Sequence, residues 1–397
     1  MKKMVILFLI SIFLFSSCAY SFGEKGGYLR EYPETVFQKE PEGISEYRAV
    51  WFSYLDYEKH LSNKNEAEFA PAVREVFKKI SDFGFNTVIF QILPFSAAYY
   101  KSEIYPSFIS EFDPLKIAIE AARENGLKIE GWINPFRAFT VSEAEGVSAN
   151  SYFGKWYKDE TTKGKFISLV SGRWYYNPAY LEVREMLFSA VREIVSNYEL
   201  DGIHIDDYFY PTTDPSFDAF AFESLSGGKS LGDFRRDNIN KVVSGLYSAI
   251  KETNPSVSFG ISPIGNIEKG YSDLYADVAL WAREGYADYI LPQIYYSFKQ
   301  TFYSYTYALD KWKALEWNKK TKLYVGLAAY KLSGRASYFT KEEEEDWKTN
   351  SDMLSRQVSL AREVENFGGF AVFSYSDFFP EDDIVISKEK ENLRALF

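Results

Sequence analysis

Apolar positions alternate between two spacings from about residue 47 onward. Short segments dense in Val, Ile, Leu and Phe precede longer segments in which apolar residues recur every three or four positions. The first pattern is typical of buried strands and the second of amphipathic helices. Three helical segments end just before a glycine (Gly84, Gly126 and Gly285), where a left-handed helix cap is favoured. This alternation of strand and helix predicts a parallel sheet.

The pattern predicts eight strand and helix units. The strands are expected at residues 48–55, 87–93, 128–134, 202–206, 256–262, 289–295, 322–328 and 369–374. The helices are expected at residues 66–83, 115–125, 180–197, 234–253, 272–284, 302–317 and 351–366. One long insertion, residues 136–177, follows the third strand.

Eight parallel strands are the number that closes a TIM barrel. An open doubly wound sheet would leave strand edges and usually carries a glycine-rich phosphate loop, and no G-x-G-x-x-G or P-loop pattern follows a predicted strand. We therefore predict an α/β fold, with residues 44–397 forming a single (β/α)8 TIM barrel with long βα loops. The acidic run at residues 342–346 is expected to be exposed, as a loop or helix start.

The most informative segment is DGIHIDDYFY, residues 201–210. The side-chain period of two in a strand places His204 and Asp206 on the face opposite Ile203 and Ile205. The isoleucines should face a packed layer, and Asp206 should emerge at the C-terminal end of the fourth strand. In TIM barrels that end of the strands holds the active site.

Amides, phenols, an indole and a few charged groups stand at or just beyond other predicted strand ends. Amides donate and accept hydrogen bonds toward sugar hydroxyls. Aromatic faces stack on sugar rings, and Phe, Trp and Tyr make up 18% of the chain. This lining predicts a site for a polyhydroxylated ligand, with the substrate-binding candidates Asp56, Gln91, Trp132, Asn134, Arg137, His204, Tyr208, Asn266, Gln293, Tyr295, Tyr296 and Tyr375.

Such a lining suggests glycoside cleavage, which uses two carboxyl groups at the bond, one ionised and one protonated. Asp206 is the candidate for the ionised group, as nucleophile or as stabiliser of the oxocarbenium ion. Alternation predicts that Asp207 turns toward the loop or a helix N-terminus. There it could hold Asp206, act as the acid, or cap a helix.

The sequence leaves the general acid open, because no Glu ends the fifth strand. Asp377 reaches the mouth directly from the eighth strand and is the third catalytic candidate. Asp56 is another carboxyl at a strand end, while Glu268 and Asp273 require the loop after the fifth strand to fold inward. Glu130 is expected deeper in the barrel interior, where a carboxylate needs a partner or a raised pKa. Its role could be structural or catalytic, and the structural role is favoured.

Composition excludes several classes of function. The net charge of −11 and the absence of a basic patch argue against a nucleic-acid partner. Two His and one Cys are too few for an all-nitrogen or thiolate metal site, so we expect no metal and no cofactor. A single cysteine cannot form a disulfide within the chain.

The N-terminus reads as a targeting segment. Two lysines precede an apolar stretch at residues 5–15, which is too short for a comfortable transmembrane helix. The sequence LFSSC then ends at Cys18, in the manner of a bacterial lipobox. We expect a signal peptide at residues 1–17, lipidation of Cys18 and a tether at residues 18–43.

Ordinary signal-peptidase cleavage near Ser17 or Ala19 is the alternative, and either route exports the protein. A lipidated Cys18 would anchor it to a membrane of the cell envelope. Because Ala19 lacks the acidic cue for inner-membrane retention, we expect the outer membrane in a cell with two membranes.

A series of motifs runs through the chain in a fixed order: RAVWFSYLD (48–56), FNTVIFQILPFSAAYYKSEIYP (85–106), FDPL (112–115), GWINPFR (131–137), YYNPAYLEVR (175–184), DGIHIDDYFYP (201–211), FRRDNIN (234–240), FGISPIGN (259–266) and PQIYY (292–296). In these motifs the chain resembles the bacterial glycosyl-hydrolase-like family ten, a group of exported TIM-barrel proteins. The resemblance implies hydrolysis of cell-envelope glycan, with peptidoglycan glycan strands as substrate. It also places the two aspartates of the family motif on Asp206 and Asp207.

The chain departs from the family pattern near the second and third strands. Leu93 stands in place of an Arg, Ala97 of an Asp, Ser107 of a Trp, and Glu130 of a His. Two basic groups are thus absent and one acid is gained. The departures alter the expected sugar subsite there and leave the fourth-strand site intact.

Two main hypotheses follow. The first is a glycoside hydrolase that acts on envelope glycan through Asp206. The second is a non-catalytic glycan-binding lipoprotein on the same barrel, favoured by the missing fifth-strand Glu and the altered loop after the second strand. A metal-dependent hydrolase is a third option that the scarcity of ligands disfavours.

Overall fold

Eight parallel strands close into a barrel in the computed structural model, which describes residues 46–108, 111–334, 336–338, 340–380 and 383–397. Neighbouring barrel strands pair in parallel, and the last pairs with the first. The predicted TIM barrel is confirmed. In chain order the strands are β1 (Tyr47–Phe52), β2 (Thr87–Leu93), β3 (Lys128–Ile133), β4 (Arg137–Thr140), β5 (Ile167–Val170), β6 (Arg173–Tyr176), β7 (Gly202–Ile205), β8 (Ser258–Ile261), β9 (Tyr289–Ile290), β10 (Lys322–Ala328) and β11 (Phe367–Phe373).

Helices connect the barrel strands. In chain order they are α1 (Tyr54–His60), α2 (Glu66–Phe83), α3 (Pro114–Glu124), α4 (Val141–Ala144), α5 (Tyr152–Lys158), α6 (Leu181–Asn197), α7 (Ala219–Leu225), α8 (Leu231–Thr253), α9 (Ile267–Asp273), α10 (Val278–Glu284), α11 (Tyr305–Lys313), α12 (Lys341–Thr349), α13 (Met353–Ala361), α14 (Tyr375–Phe378) and α15 (Ile384–Arg394). Helix α2 shows how local sequence sets the bounds. The Asn65 side chain accepts a hydrogen bond from the Glu68 N–H to begin it, and Gly84 ends it with φ of 110°.

Side chains of the barrel strands divide between two cores, as the period of two predicts. Ile203 and Ile205 belong to the large core that includes the helices. Trp51, Trp132 and Tyr289 belong to a smaller cluster of barrel-strand residues that also includes Ala49, Ile89, Leu291 and Ala371. The barrel interior is therefore filled by packed side chains.

Strands β2 and β10 begin and end at the predicted residues, whereas β9 is much shorter than the predicted 289–295. Pro292 has no N–H to donate, so the regular ladder stops after Ile290. Pairing then continues only as isolated bridges from Gln293 to Ile264 and to Gly326. This irregular backbone leads directly into the loop that carries Tyr295.

The insertion after β3 forms its own antiparallel sheet, in the order β4–β6–β5. Arg137 pairs with Tyr175, and Thr140 pairs with Arg173. Helices α4 and α5 lie within the same insertion. Because β4 begins only a few residues after β3 ends, the sheet is attached at the C-terminal end of the barrel.

Other predicted elements also differ from the structure, and two of them have a clear local cause. The expected helix at residues 272–284 is divided into α9 and α10, because Tyr275 adopts a φ of 58° and Asp277 begins the second helix by accepting the Leu280 N–H at 3.1 Å. The acidic run is part of α12 and is not wholly exposed. Glu343 and Asp346 are buried, the first against the Lys331 ammonium at 3.1 Å.

The predicted signal peptide, Cys18 and the whole of the predicted tether lie outside the described residues, so they remain predictions. Among the helices that the structure describes, none is both long and apolar enough to cross a membrane.

Candidate functional site

Asp206 lies directly after β7 at the mouth of the barrel, the ring of C-terminal strand ends and the loops that follow them. Its carboxylate accepts a hydrogen bond from the Trp132 indole N–H at 3.0 Å. The Asn134 amide donates to both oxygens, at 3.0 and 3.2 Å, and the Tyr208 N–H donates at 3.3 Å. Because β3 pairs beside β7, its end brings Trp132 and Asn134 to Asp206. The side chain is only 3% exposed, yet its named contacts are polar.

Asp207 also faces the mouth, which corrects the prediction that it turns away. Regular alternation ends at Ile205, because the backbone leaves the sheet there. The Asp207 carboxyl receives a hydrogen bond from Gln293 and interacts electrostatically with Asp206. The two carboxyls therefore form an aspartate pair on the same side of the chain.

Burial raises the pKa of Asp206 above its usual 3.8, and the charge of Asp207 raises it further. Burial likewise raises the pKa of Asp207, while Gln293 and Arg137 act in the opposite direction. Two close carboxyls in a low-dielectric site do not both ionise readily. The aspartate pair therefore retains a proton above the usual carboxyl range and titrates as a unit.

A stack of arginines and rings borders the aspartate pair. The Arg137 guanidinium lies between Phe95 and Tyr208, 4.5 Å and 4.2 Å from their ring centroids. Arg173, from β6, lies 4.3 Å from the centroid of the same Phe95 ring. Its Nη1 donates to the Ala138 carbonyl at 2.6 Å. Tyr208 is 48% exposed, so this stack reaches solvent at the mouth.

The two predicted glutamines have different roles: Gln91 supports the fold and Gln293 contacts the aspartate pair. Gln91 is buried, and its Oε1 accepts the Tyr54 N–H at 2.8 Å, so it fixes the start of α1. Gln293 is half-buried and donates to the Ser262 carbonyl at 3.0 Å while it contacts Asp207. Of the two glutamines, only Gln293 lies at the aspartate pair, where Asn134 is the other predicted amide.

Two predicted phenols lie beside the mouth. Burial raises the pKa of Tyr295, and Tyr330 and Asp207 raise it further, which places Tyr295 on the Asp207 side. Its ring contacts that of Tyr330 edge-on, with centroids 5.7 Å apart. Tyr296 is half-buried and packs against Tyr303 at 5.2 Å. Tyr295 is therefore the better placed of the two for a ligand at the aspartate pair.

Asp56 and Asp377 make hydrogen bonds at the starts of α1 and α14. Asp56 is buried and accepts hydrogen bonds from the N–H of Ser53 and of Ser376, both at 2.8 Å, so it ties α1 to α14 in place of the predicted sugar contact. Asp377 lies in α14 and accepts from the Ser374 hydroxyl at 2.9 Å. Asp377 also interacts electrostatically with Tyr330, whose ring packs against Tyr295. Its catalytic role stays a prediction.

His204 lies on the predicted face but one layer too deep to contact a sugar. It is fully buried, with Nδ1 2.9 Å from the Tyr289 hydroxyl and Nε2 2.9 Å from the Ser262 hydroxyl. Burial lowers its pKa to about 3, so the imidazole is neutral. The side chain joins β7, β8 and β9 inside the barrel.

Tyr375 and Asn266 also have structural roles where sugar contacts were predicted. Tyr375 is 2% exposed and packs against Phe52 and His60, with ring centroids at 5.4 and 5.2 Å. Asn266 begins α9 by accepting the Lys269 N–H at 2.8 Å. A strand-end position in the sequence does not by itself distinguish a lining residue from a cap or a core ring.

The two candidate acids on α9 are held in ion pairs. Glu268 contacts Lys311 at 2.9 Å, and Asp273 contacts Lys269. Partial burial would raise the pKa of each carboxyl, but these lysines outweigh it and leave both pKa values below the usual range. A general acid needs a raised pKa, so neither carboxyl suits that role.

Glu130 lies in the barrel interior as predicted. It accepts hydrogen bonds from Tyr289 and, at 3.3 Å, from the Ser258 hydroxyl, and burial raises its pKa to about 7. With Tyr47 and Tyr324 it lines a cavity of about 500 Å³ at the N-terminal ends of the strands. That end is opposite the mouth, so Glu130 is far from the aspartate pair and a structural role fits it.

Two residues of the mouth, Phe95 and Arg173, were not predicted. Phe95 directly follows the second strand, in the motif QILPF, where an aromatic at a strand end could have indicated it. Arg173 belongs to the insertion, whose pairing to β4 no short sequence pattern reveals. Within the described residues, no cluster of three or more His, Cys, Asp or Glu side chains could hold a metal ion.

A family model described as Glycosyl hydrolase-like 10 matches residues 46–347. Two named relatives are similar to most of the chain. Glycosyl hydrolase YngK of Bacillus subtilis (strain 168) is 29% identical over 383 residues, which cover 86% of this chain and 70% of the relative. Glycosyl hydrolase DigH of Escherichia coli (strain K12) is 31% identical over 321 residues, which cover 73% of this chain and 72% of the relative.

Solved structures share the barrel at low sequence identity. The catalytic domain of β-amylase from Paenibacillus polymyxa superposes with a TM-score of 0.56 at 11% identity, covering 89% of this chain and 99% of that one. The glycoside hydrolase domain of PgaB (BpsB) from Bordetella bronchiseptica gives 0.53 at 12% identity, covering 88% and 98%. At such identities the likeness shows a common fold and nothing more.

Proposed function

We propose that this chain, which belongs to the Glycosyl hydrolase-like 10 family, hydrolyses glycosidic bonds of a cell-envelope glycan, with peptidoglycan glycan strands as its substrate. The single observation that carries the proposal is the placement of Asp206. It is a carboxylate at the C-terminal end of a barrel strand, held by three N–H donors beside a second carboxyl. The names of both relatives contain glycosyl hydrolase, which supports the same reaction class.

The hydrogen bonds divide the roles within the aspartate pair. Trp132, Asn134 and the Tyr208 N–H all donate to Asp206, and donors of this kind favour an ionised carboxylate. In the free protein the charge of Asp207 raises the pKa of Asp206, while Gln293 and Arg137 lower that of Asp207. The proposed reaction requires the shared proton on Asp207 once the glycan is bound, and the three donors on Asp206 support that arrangement. Asp206 is the nucleophile or the partner of the oxocarbenium ion, and Asp207 is the acid that protonates the leaving oxygen.

In the proposed reaction, the bond between the anomeric carbon and the glycosidic oxygen breaks. The leaving oxygen takes the proton of Asp207, and a water molecule supplies hydroxide to the anomeric carbon and returns a proton to the pair. Asp206 balances the positive charge that develops on the sugar ring. Gln293, Tyr295 and Tyr208 border the pair and offer an amide, a phenol and an exposed ring to the glycan.

The direct test is incubation of the purified mature protein with peptide-free glycan strands, followed by mass spectrometry of the products. We expect shortened strands with the wild-type protein. The Asp206→Asn variant should lower turnover at least about a hundredfold, since it removes a negative charge that stabilises the transition state more than the bound substrate. Asp273→Asn is the matched control, because it removes a carboxylate of the surface helix α9.

The burial of Asp206 favours one alternative, a glycan-binding protein that does not cleave. A carboxylate that is 3% exposed and bonded at both oxygens could serve only to shape the mouth. In that case wild-type protein and Asp206→Asn would bind the strands with similar affinity, and neither would shorten them.

We further propose that the protein is exported and anchored by lipid at Cys18, which supports an action on envelope glycan. The apolar stretch at residues 5–15 and the single cysteine after it are the basis. Mass spectrometry of the mature N-terminus tests this: a diacylglyceryl-modified Cys18 is expected, and an unmodified terminus at Ala19 would contradict the anchor.

A further inference from the structure

We propose that Arg137 and Arg173 form an anion-binding subsite at the mouth, which takes a carboxylate carried by a sugar of the glycan. This inference rests on the proposed function and specifies its substrate: an acidic glycan whose carboxylate is free. It assigns a ligand contact to Arg173, a residue of the insertion.

Both guanidiniums pack against the same aromatic ring. Arg137 and Arg173 lie 4.5 and 4.3 Å from the Phe95 ring centroid. Burial lowers the pKa of Arg173, and the charge of Arg137 lowers it further, so the two cations interact. Two like charges in a half-buried position are unfavourable unless an anion joins them.

The arginines keep hydrogen-bond donors free for such an anion. The Arg137 Nε is buried with no acceptor among the described residues. Arg173 directs only Nη1 to a described acceptor, the Ala138 carbonyl. Neither guanidinium makes an ion pair within 4.0 Å with a described carboxylate, although Arg137 acts on the aspartate pair at longer range. Ring stacking therefore fixes both groups and leaves donors unused.

The shape of the two guanidiniums suits a carboxylate ligand. Glu143 acts on Arg173 electrostatically but makes no ion pair with it within 4.0 Å, so it leaves the Arg173 donors open. Planar guanidiniums match a carboxylate through paired N–H donors, a geometry that neutral sugar hydroxyls do not offer.

The subsite is adjacent to the proposed point of cleavage. The Asn134 side chain donates to Asp206 and accepts the backbone N–H of Arg137 at 2.9 Å. The Arg137 guanidinium packs on the Tyr208 ring and acts electrostatically on both aspartates. The carboxylate should therefore belong to a sugar at or next to the scissile bond. The lactyl group of a muramic acid and the C6 carboxylate of a uronic acid both supply this chemistry.

Binding is measured in the Asp206→Asn variant, so that affinity is read without turnover. The probes are peptide-free peptidoglycan fragments, the same fragments after methyl esterification of their carboxylates, and oligosaccharides of glucuronic acid. We expect esterification to weaken binding at least tenfold by calorimetry. Tighter binding of the peptidoglycan fragments than of the uronic oligosaccharides would assign the carboxylate to the lactyl group, and the reverse order would assign it to a uronic acid.

Arg137→Gln and Arg173→Gln should each weaken binding of the acidic fragments at least fivefold and leave binding of the esters unchanged. Arg192→Gln, on the outer helix α6, is the matched control for loss of one positive charge. The affinity of Arg173→Lys for the acidic fragments should lie between those of the wild type and Arg173→Gln. Thermal unfolding of each variant checks that the insertion is folded.

Equal binding of acid and ester would overturn the subsite, as would equal losses for both probes in the arginine variants. The proposed function fails separately, if the wild-type protein cleaves none of the glycans. Cleavage of acidic and esterified strands at the same kcat/KM would leave hydrolysis standing and remove the anion subsite.

Discussion

At the scale of single residues, the orientation of Asp206 depends on donors from a neighbouring strand. Replacing Trp132 with Phe removes the indole N–H and keeps most of the ring. A hydrogen bond to a charged group contributes about 1.5–3 kcal/mol, so kcat on glycan strands should fall roughly ten- to a hundredfold with a smaller change in KM. Trp317→Phe, whose indole bonds the Trp312 carbonyl, is the control. An unchanged kcat in Trp132→Phe would show that this donor does not position the carboxylate.

The shared proton of the aspartate pair predicts a bell-shaped dependence of kcat/KM on pH. Activity should fall at low pH, when both carboxyls are protonated, and at high pH, when both are ionised. Because burial raises both pKa values, the alkaline fall should come well above the usual carboxyl range. Asp207→Asn should lose the alkaline limb together with most of the activity. If Asp207→Asn kept the bell-shaped dependence of kcat/KM on pH, another residue would have to be the general acid.

The sequence predicted the position of Asp206 at the strand end correctly, and the positions of its neighbours wrongly, for identifiable reasons. A period of two gives the face of a strand residue but not its depth, so His204 was predicted at the mouth and lies buried beneath it. The alternation of side chains also ends where the strand ends. Asp207 therefore lies beside Asp206 and does not turn toward the loop. Arg173 comes from the insertion, where contacts depend on pairing that the sequence pattern does not contain.

At the scale of elements, helix α12 shows that a run of charges can be partly internal. Lys331 and Glu343 are both buried, with Nζ and Oε1 3.1 Å apart. Removing one partner of a buried ion pair leaves the other charge uncompensated, which costs about 3–5 kcal/mol. Glu343→Gln should therefore lower the free energy of unfolding in urea by about that amount.

The control for this prediction lies on the same helix. Glu344 pairs with Lys348 on the surface, where each side chain is more than 40% exposed. Exposed pairs of this kind contribute less than about 0.5 kcal/mol, so Glu344→Gln should leave the urea midpoint almost unchanged. Similar losses in the two variants would contradict an internal role for Glu343.

Strands were predicted better than connections. The bounds of β2 and β10 in the structure match those predicted from their apolar residues, because both strands are buried along most of their length. Helix α9 ends where Tyr275 takes a left-handed conformation, and apolar spacing carries no signal of that. The sequence also gave no indication of the antiparallel sheet inside the insertion, because its strands are four residues long.

At the scale of the whole molecule, one buried carboxyl should couple folding to pH. Burial raises the pKa of Glu130 from 4.5 to about 7. A carboxyl with a raised pKa binds its proton more tightly when folded, so its contribution to stability is complete below the unfolded pKa and is lost as pH rises through the folded pKa. Between pH 4.5 and 7 this loss amounts to about 3 kcal/mol.

Glu130→Gln removes this titration while keeping the shape of the side chain. The free energy of unfolding of the variant should fall by about 3 kcal/mol less than that of the wild type over the same pH range. Urea unfolding at several pH values measures the difference. Parallel pH curves for the two proteins would show that Glu130 is not a buried acid in solution.

The fold as a whole could be predicted because eight repeats of the same pattern leave few ways to close a sheet. The position of the site followed from the fold, since chemistry in a TIM barrel lies at the C-terminal strand ends. The composition of the site did not follow, because caps, core rings and ligand contacts share the same strand-end positions. Asp56, Tyr375 and Asn266 are examples of such caps and core contacts.

The central claim is that Asp206 and Asp207 together cleave a glycosidic bond with water. Peptide-free glycan strands incubated in water enriched in ¹⁸O test it most directly, with mass spectrometry of the new reducing ends. We predict ¹⁸O-labelled reducing ends that accumulate with the wild-type protein and are absent with Asp206→Asn, which still binds the strands. Labelled ends that form at the same rate in both proteins, or strands that the wild type binds and leaves intact, would contradict the account.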